Sequence, residues 1–357
     1  MSTEGKQSAT SGTDEGAGVS VDRRATLLRR VVRTPVTFTF LALVLIAIAF
    51  ALMAPGKFNT STNVVQLAQN VAILTVVSVG TTFVIITAGV DLSIPSGIVL
   101  GEVFALKALA LIPLGDRTAV TVLADATKGV YMLVALAGSV LAGLALGIVN
   151  GVVVGYLRVP PLLATLGTLG AGLGVALLLQ NGVNTATYAL NPVASGQLIP
   201  GLPNLVLVAL GVVLVGVVLL HYSVFGRHTY AIGSNEEAAR RVGVNVERHL
   251  LLVYVIGGVS AGLAGFLSVA YFSTTSLSGH STDNLQAITA AALGGTSLFG
   301  GVGTIIGTVI GVWIPAVLRN GFVIVGLQPY WQMVALGAVL IAAVYSDQLR
   351  RRSRSRR

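Results

Sequence analysis

"VTFTFLALVLIAIAFALMA", residues Val36–Ala54, carries no charged side chain. A helix rises 1.5 Å per residue, so this run is long enough for the ~30 Å hydrocarbon core of a bilayer. In lipid each backbone N–H and C=O must be bonded within the chain, which makes the run a helix rather than a lone strand. Nine more apolar segments follow, at about 64–88, 94–113, 130–156, 160–180, 204–221, 250–272, 286–299, 303–319 and 330–346. The chain is 54% hydrophobic and 10% charged, against about a quarter charged in soluble domains. The expected fold class is all-α: a polytopic membrane helix bundle of about ten transmembrane segments. The segment 286–299 is short and ends in a Gly-rich break, so it reads as re-entrant or broken. With no cysteine, disulfides, thiolate metal sites and cysteine nucleophiles are excluded.

Residues 1–33 are expected to form a disordered tail with a basic end, 34–346 the membrane domain, and 347–357 a basic tail. The run 36–54 is too long for a signal peptide's apolar core, and its polar leader is long, so it is expected to be retained. An even number of spans places both termini on one side. Lys and Arg collect in the N-terminal tail, at Arg158, in the 222–249 loop and in the C-terminal tail. Positive residues favour the cytoplasmic face, so both termini are expected there. The terminal "RRRSRSRR" abuts a span and reads as a contact with anionic lipid, not with nucleic acid.

Gly143, Gly147, Gly151 and Gly155 recur every four residues, as do Gly303, Gly307 and Gly311. This spacing makes a flat helix face for close packing. "GVDLSIPSG" (Gly89–Gly97) and "LGGTSLFGGVG" (Leu293–Gly303) interrupt the apolar pattern in matching style. Paired interruptions of this kind point to two related halves of a transporter.

The candidate solute pathway comprises Asp91 and Ser93 in the first interruption, with Glu102, Asn150, Gln180 and Asn181. Glu102 lines a polar path or faces an interior water; Lys107, about 140° further round the helix, snorkels outward. Asn150, Gln180 and Asn181 bind a polar solute or bridge helices. The four histidines, near span ends, read as interfacial polar residues. No stretch has the G-x-x-x-x-G-K-[ST] phosphate loop, and neither a catalytic Ser/His/Asp set nor a metal spacing is present.

The longest charged loop, 222–249, contains "GSNEEAARRVGVN" (Gly233–Asn245). Ser234 is the expected N-cap, with Glu237 completing a capping box. Glu236/Arg240 and Glu237/Arg241 are i,i+4 pairs in the favoured orientation, and Gly243 suits a left-handed stop. A helix this short is unstable alone in water and calls for a docking partner or the membrane surface; a solvated loop helix is the other reading.

"GRHTYAIGSNEEAARRVGVNV" (Gly226–Val246), "TAGVDLSIPSG" (Thr87–Gly97) and "AITAAALGGTSLFGGVGTIIGTVIGV" (Ala287–Val312) together resemble ABC-importer permeases of the ribose/simple-sugar family, from about residue 36 to 346. The resemblance implies a non-enzymatic transmembrane subunit in the bacterial cytoplasmic membrane, paired as a homodimer or related heterodimer. It implies two ATPase subunits, which hold ATP and Mg, and an extracytoplasmic solute-binding protein; no cofactor is implied on this chain. Carried over by position, Ser234, Asn235, Glu236, Glu237, Ala238, Ala239, Arg240, Arg241 and Gly243 would couple to the ATPase. Three departures stand out: Pro95 where the family typically has Gly, "NLQAI" (Asn284–Ile288) without the usual acids, and Val302 in place of a frequent basic residue. They weaken ribose itself as the solute. The expected function is inward transport of a monosaccharide or similar small polar solute. The alternatives are branched-chain amino acids or nucleosides, and an ion-coupled carrier, which the sparse mid-membrane acids disfavour.

Overall fold

The computed structural model describes residues 35–112 and 128–355. The N-terminal tail and most of the loop expected at 114–129 lie outside the described residues. Among the described residues the extended elements of secondary structure are all helices: α1 (Pro35–Met53), α2 (Ser61–Ile86), α3 (Ile94–Ala110), α4 (Lys128–Gly151), α5 (Pro161–Gln180), α6 (Asn191–Ser195), α7 (Asn204–His221), α8 (Val224–Ser234), α9 (Glu236–Arg241), α10 (Val246–Phe272), α11 (Asp283–Leu293), α12 (Ile305–Ile324) and α13 (Pro329–Ser355). A π-helical turn, Val152–Tyr156, extends α4.

Seven of these helices are long and apolar enough to cross a membrane: Val36–Met53, Ser61–Ile86, Gly129–Tyr156, Pro161–Gln180, Asn204–His221, Val246–Phe272 and Ile305–Ile324. The other three expected segments also fall on helices, with differences. Helix α3 has 17 residues. The segment 286–299 is an 11-residue helix, α11, followed by turns, because Gly294 and Gly295 end it. At about 16 Å, α11 is too short to cross the hydrocarbon region. Helix α13 runs on to Ser355, so the boundary expected at 346 does not end it.

Helices α2, α3, α4 and α10 form the centre. Helix α2 buries nearly its whole length from Val71 to Ile86, whereas α1 leaves Leu45, Leu52 and Met53 exposed. An apolar helix with so little polar face suits a lipid-facing position. Gly143, Gly147, Gly151 and Gly155 of α4 face α10. A methyl group at Gly143 would overlap the Gly258 carbonyl, and one at Gly147 would come 2.6 Å from the Tyr254 carbonyl oxygen. Gly258 and Gly262 return the contact from α10, against Gly147 and Ser139. The backbones therefore touch along the seam, where dispersion replaces the hydrophobic drive that lipid lacks. Gly307 and Gly311 of α12 face Gly294 and Ala290, while Gly303 lies in the turn before α12, where it approaches Thr296.

Candidate functional site

The 222–249 loop holds two helices rather than one. Ser223 caps α8 by accepting a hydrogen bond from the Gly226 amide at 3.1 Å. The expected cap of the charged helix moves by one residue. Ser234 ends α8 and donates its hydroxyl to the Tyr230 carbonyl at 2.8 Å. Asn235 is the N-cap of α9, its side chain accepting from the Ala238 amide at 2.9 Å. Ser234 is unavailable because α8 continues through it, and the next residue with a short polar acceptor takes the role. Glu237 therefore closes no capping box on Ser234.

Both expected ion pairs form: Arg240 to Glu236 at 3.1 Å and Arg241 to Glu237 at 2.5 Å. Gly243 has φ +88°, and the Gly243 and Val244 amides return to the Arg240 and Ala239 carbonyls, a left-handed C-terminal stop. Arg240 also pairs with Glu247 at the start of α10, and Arg158 reaches the same carboxylate at 3.4 Å. Underneath, Ala239 packs with Ile232 and Val246. Helix α9 is thus fastened to α8 and α10, with Glu237 and Arg241 facing outward.

The first interruption folds into a buried polar network. Asp91 accepts from the Ser93 amide at 2.8 Å and from its hydroxyl at 2.6 Å. Asn150 of α4 donates to the Ser93 hydroxyl at 2.7 Å, and Thr168 of α5 donates to Asn150 at 2.6 Å. Thr165 accepts from the Leu92 amide at 3.0 Å. Pro95 sits at the second position of α3, where a missing N–H leaves no bond unmade. The structure therefore gathers Asp91, Ser93 and Asn150 into one cluster joining α3, α4 and α5.

Glu102, Gln180 and Asn181 lie elsewhere. Gln180 accepts from Thr185 at 3.3 Å, and Asn181 ends α5 in a left-handed conformation. Glu102 is fully buried, and among the described residues its hydrogen bonds go to groups outside the Asp91 cluster. It accepts from Ser268 at 2.7 Å, from the Ser276 amide at 2.7 Å and from His280 at 3.0 Å. His280 turns its other ring nitrogen to Asp283 at 2.7 Å. Only an imidazolium donates from both nitrogens to two carboxylates. Burial opposes the charge on His280, yet the bonds to Asp283 and Glu102 prevail and hold its pKa up at about 10. Lys107, as its helical angle requires, is exposed and borders an apolar cavity of about 1000 Å³ between α3, α4 and α5.

Sequence reasoning missed Tyr230, Glu247, Thr165, Thr168, Ser268, His280 and Asp283. Two histidines expected at the interface are buried: His280, and His249, which contacts Thr229 at 3.0 Å and Phe225. The Asp283–His280 spacing of three residues was a local signal; the link to Glu102 spans 178 residues.

This chain belongs to the family described as branched-chain amino acid transport system / permease component, which matches residues 63–344. It is a multi-pass helical membrane protein similar to sugar permeases of ABC transporters. Among its relatives, the D-allose transport system permease protein AlsC of Escherichia coli (strain K12) is 34% identical over 312 residues, covering 87% of this chain and 91% of the relative. The ribose import permease protein RbsC of the same strain is 35% identical over 311 residues, 85% and 91% of the two chains. The fructose import permease protein FrcC of Rhizobium meliloti is 30% identical over 326 residues, 88% and 86%. No solved structure matches the chain significantly.

Proposed function

We propose that this chain is the membrane-spanning subunit of a bacterial ABC importer that carries a monosaccharide or related small polar solute inward. The names of its relatives support the sugar class. ATP and Mg act on partner ATPase subunits, and an extracytoplasmic solute-binding protein delivers the solute. The chain pairs with a second copy or a related chain in the cytoplasmic membrane. It has ten segments in two related halves, with α3, α11 and α13 joining the seven long helices; α11, too short to cross as a helix alone, completes its crossing with the non-helical chain beside it, and both termini lie in the cytoplasm.

The observation that carries the coupling role is α9 itself. A six-residue helix has too few hydrogen bonds to persist alone, yet this one is capped at both ends and bolted to α10 through Arg240 and Glu247. Its outer face presents Glu236, Glu237 and Arg241 to a partner. The test is co-purification with the genomically adjacent ATPase. Changing Glu237 and Arg240 together to Ala is expected to abolish ATPase capture and ATP-dependent uptake in vesicles. Undiminished capture, or uptake without ATP, refutes the coupling role.

A second reading, transport of a branched-chain amino acid, is favoured by the description of the matching family. Competition of vesicle uptake by unlabelled sugars against unlabelled leucine separates the two.

A further inference from the structure

Helix α8 ends against the two Gly-rich interruptions at once. The Gly301 amide donates to the Ile86 carbonyl at 2.8 Å, so the turn after α11 is tied directly to the end of α2. Gly233 of α8 lies over this bond: a methyl group there would overlap the Ile86 carbonyl and come 2.6 Å from the Gly301 nitrogen. Gly300, at φ +85°, fits between Ala88 and the Gly233 carbonyl, and Gly301, at φ +74°, lies against Ser234. At Gly233, Ile86 and Gly301 three backbones meet directly, flanked by the small side chains of Ala88 and Ser234. Three residues before Gly233, the Tyr230 hydroxyl donates to the Gly303 carbonyl at 2.7 Å.

The junction is joined directly to α9. Asn235 alone separates the two helices; its amide closes α8 on Ala231 at 3.0 Å and its side chain opens α9. A displacement of α9 therefore carries the end of α8 with it. Beyond the junction, Ile86 leads within five residues to Asp91 and the cluster with Ser93 and Asn150, while Gly301 and Gly303 lead into the first turn of α12. Side chains that hop between rotamers would absorb a small push; packed backbone does not.

We propose that Tyr230 and Gly233 are positioning residues that hand the motion of α9 simultaneously to the α2–α3 turn and the α11–α12 turn, and so set how much solute moves per ATP hydrolysed. The proposal rests on the permease reading above. Its test uses the whole complex, with the adjacent ATPase and solute-binding protein, reconstituted in lipid vesicles, with solute uptake and ATP hydrolysis measured on the same sample. Tyr230→Phe removes one hydrogen bond and no volume. It is expected to leave ATPase capture and hydrolysis near wild type while solute moved per ATP falls about fivefold, the scale of one hydrogen bond. Gly233→Ala forces the junction apart and is expected to lower the ratio further. Gly211→Ala, on an open face of α7, serves as the control and leaves the ratio unchanged.

A wild-type ratio in both Tyr230→Phe and Gly233→Ala overturns the proposal, as does a parallel fall of uptake and hydrolysis, which marks a merely structural loss. If Gly233→Ala does not assemble, Tyr230→Phe decides alone. If the wild-type complex shows no ATP-driven uptake of any solute its binding protein accepts, the permease reading itself falls, and the coupling proposal with it.

Discussion

The Asp91 and Glu102 networks are both buried among apolar helices, and each centres on one carboxylate. They are built in opposite ways. Asp91 is answered by its neighbour Ser93, and only hydroxyl and amide groups extend the cluster to α4 and α5. Glu102 is answered by groups 166 to 178 residues away, and one of them is a cation held between two carboxylates. The first network shapes a turn, and neutral partners suffice. The second joins α3 to α10 and to the turn before α11, so its charges hold the tertiary arrangement. A buried charge is costly to strand, because the low-dielectric surroundings that strengthen the pair also penalise a lone ion.

The largest effect is therefore expected at His280. His280→Leu leaves Glu102 without its cation and should destabilise the protein by about 3–5 kcal/mol. Thermal unfolding in detergent would show this as a drop of several degrees; an unchanged midpoint would dissolve the contrast between the networks. Asn150→Ala tests the neutral network. It removes the bonds to Ser93 and Thr168, which keep Asp91 and the α5 carbonyls as partners, and should cost about 0.5–1.5 kcal/mol, so the same melting assay ranks it below His280→Leu; the reverse order would refute the contrast between the two networks.

A pH series sharpens it further. The folded pKa of His280, about 10, lies above the ordinary histidine value of 6.5. The folded state thus binds the proton more tightly than the unfolded state. The stabilisation is complete below pH 6.5 and is lost as pH rises toward 10. Melting points taken from pH 6 to 10 should decline in the wild type more steeply than in His280→Ala; parallel curves would place the charge elsewhere. The smallest effect is expected on the exposed face of α9, where Glu237→Ala removes a solvated pair and should leave the melting point unmoved while still weakening ATPase capture. A marked stability loss there would mean that the outer pair holds α9 in shape rather than serving contact.

The same contrast explains what could be read in advance. Asp91 and Ser93 were recognisable as polar groups within a break in the apolar pattern, and Asn150 as a polar group inside a span. Their meeting required the π-helical turn and the short 157–160 link that fold α5 back beside α4. His280 looked interfacial because nothing near it in sequence, apart from Asp283, hinted at burial. In α9 both ion pairs and the Gly243 stop were legible, yet the cap was placed one residue early. Ser234 and Asn235 are both good caps, and the choice between them depended on how far α8 ran.

By itself, the sequence determined the helical class, the course of the long apolar helices, the glycine face of α4 and the internal pairing of α9. Each depends on residues within one or two helical turns, so the physics is local. Tertiary structure alone decided that Glu102 would face His280, that Arg240 would reach Glu247, and that Gly233 would touch Ile86 and Gly301 together. The Glu102 and Gly233 contacts close long loops, and their geometry exists only once α2, α3, α10 and α12 have packed; Arg240 and Glu247 are seven residues apart, but they meet only because α9 turns back against the start of α10.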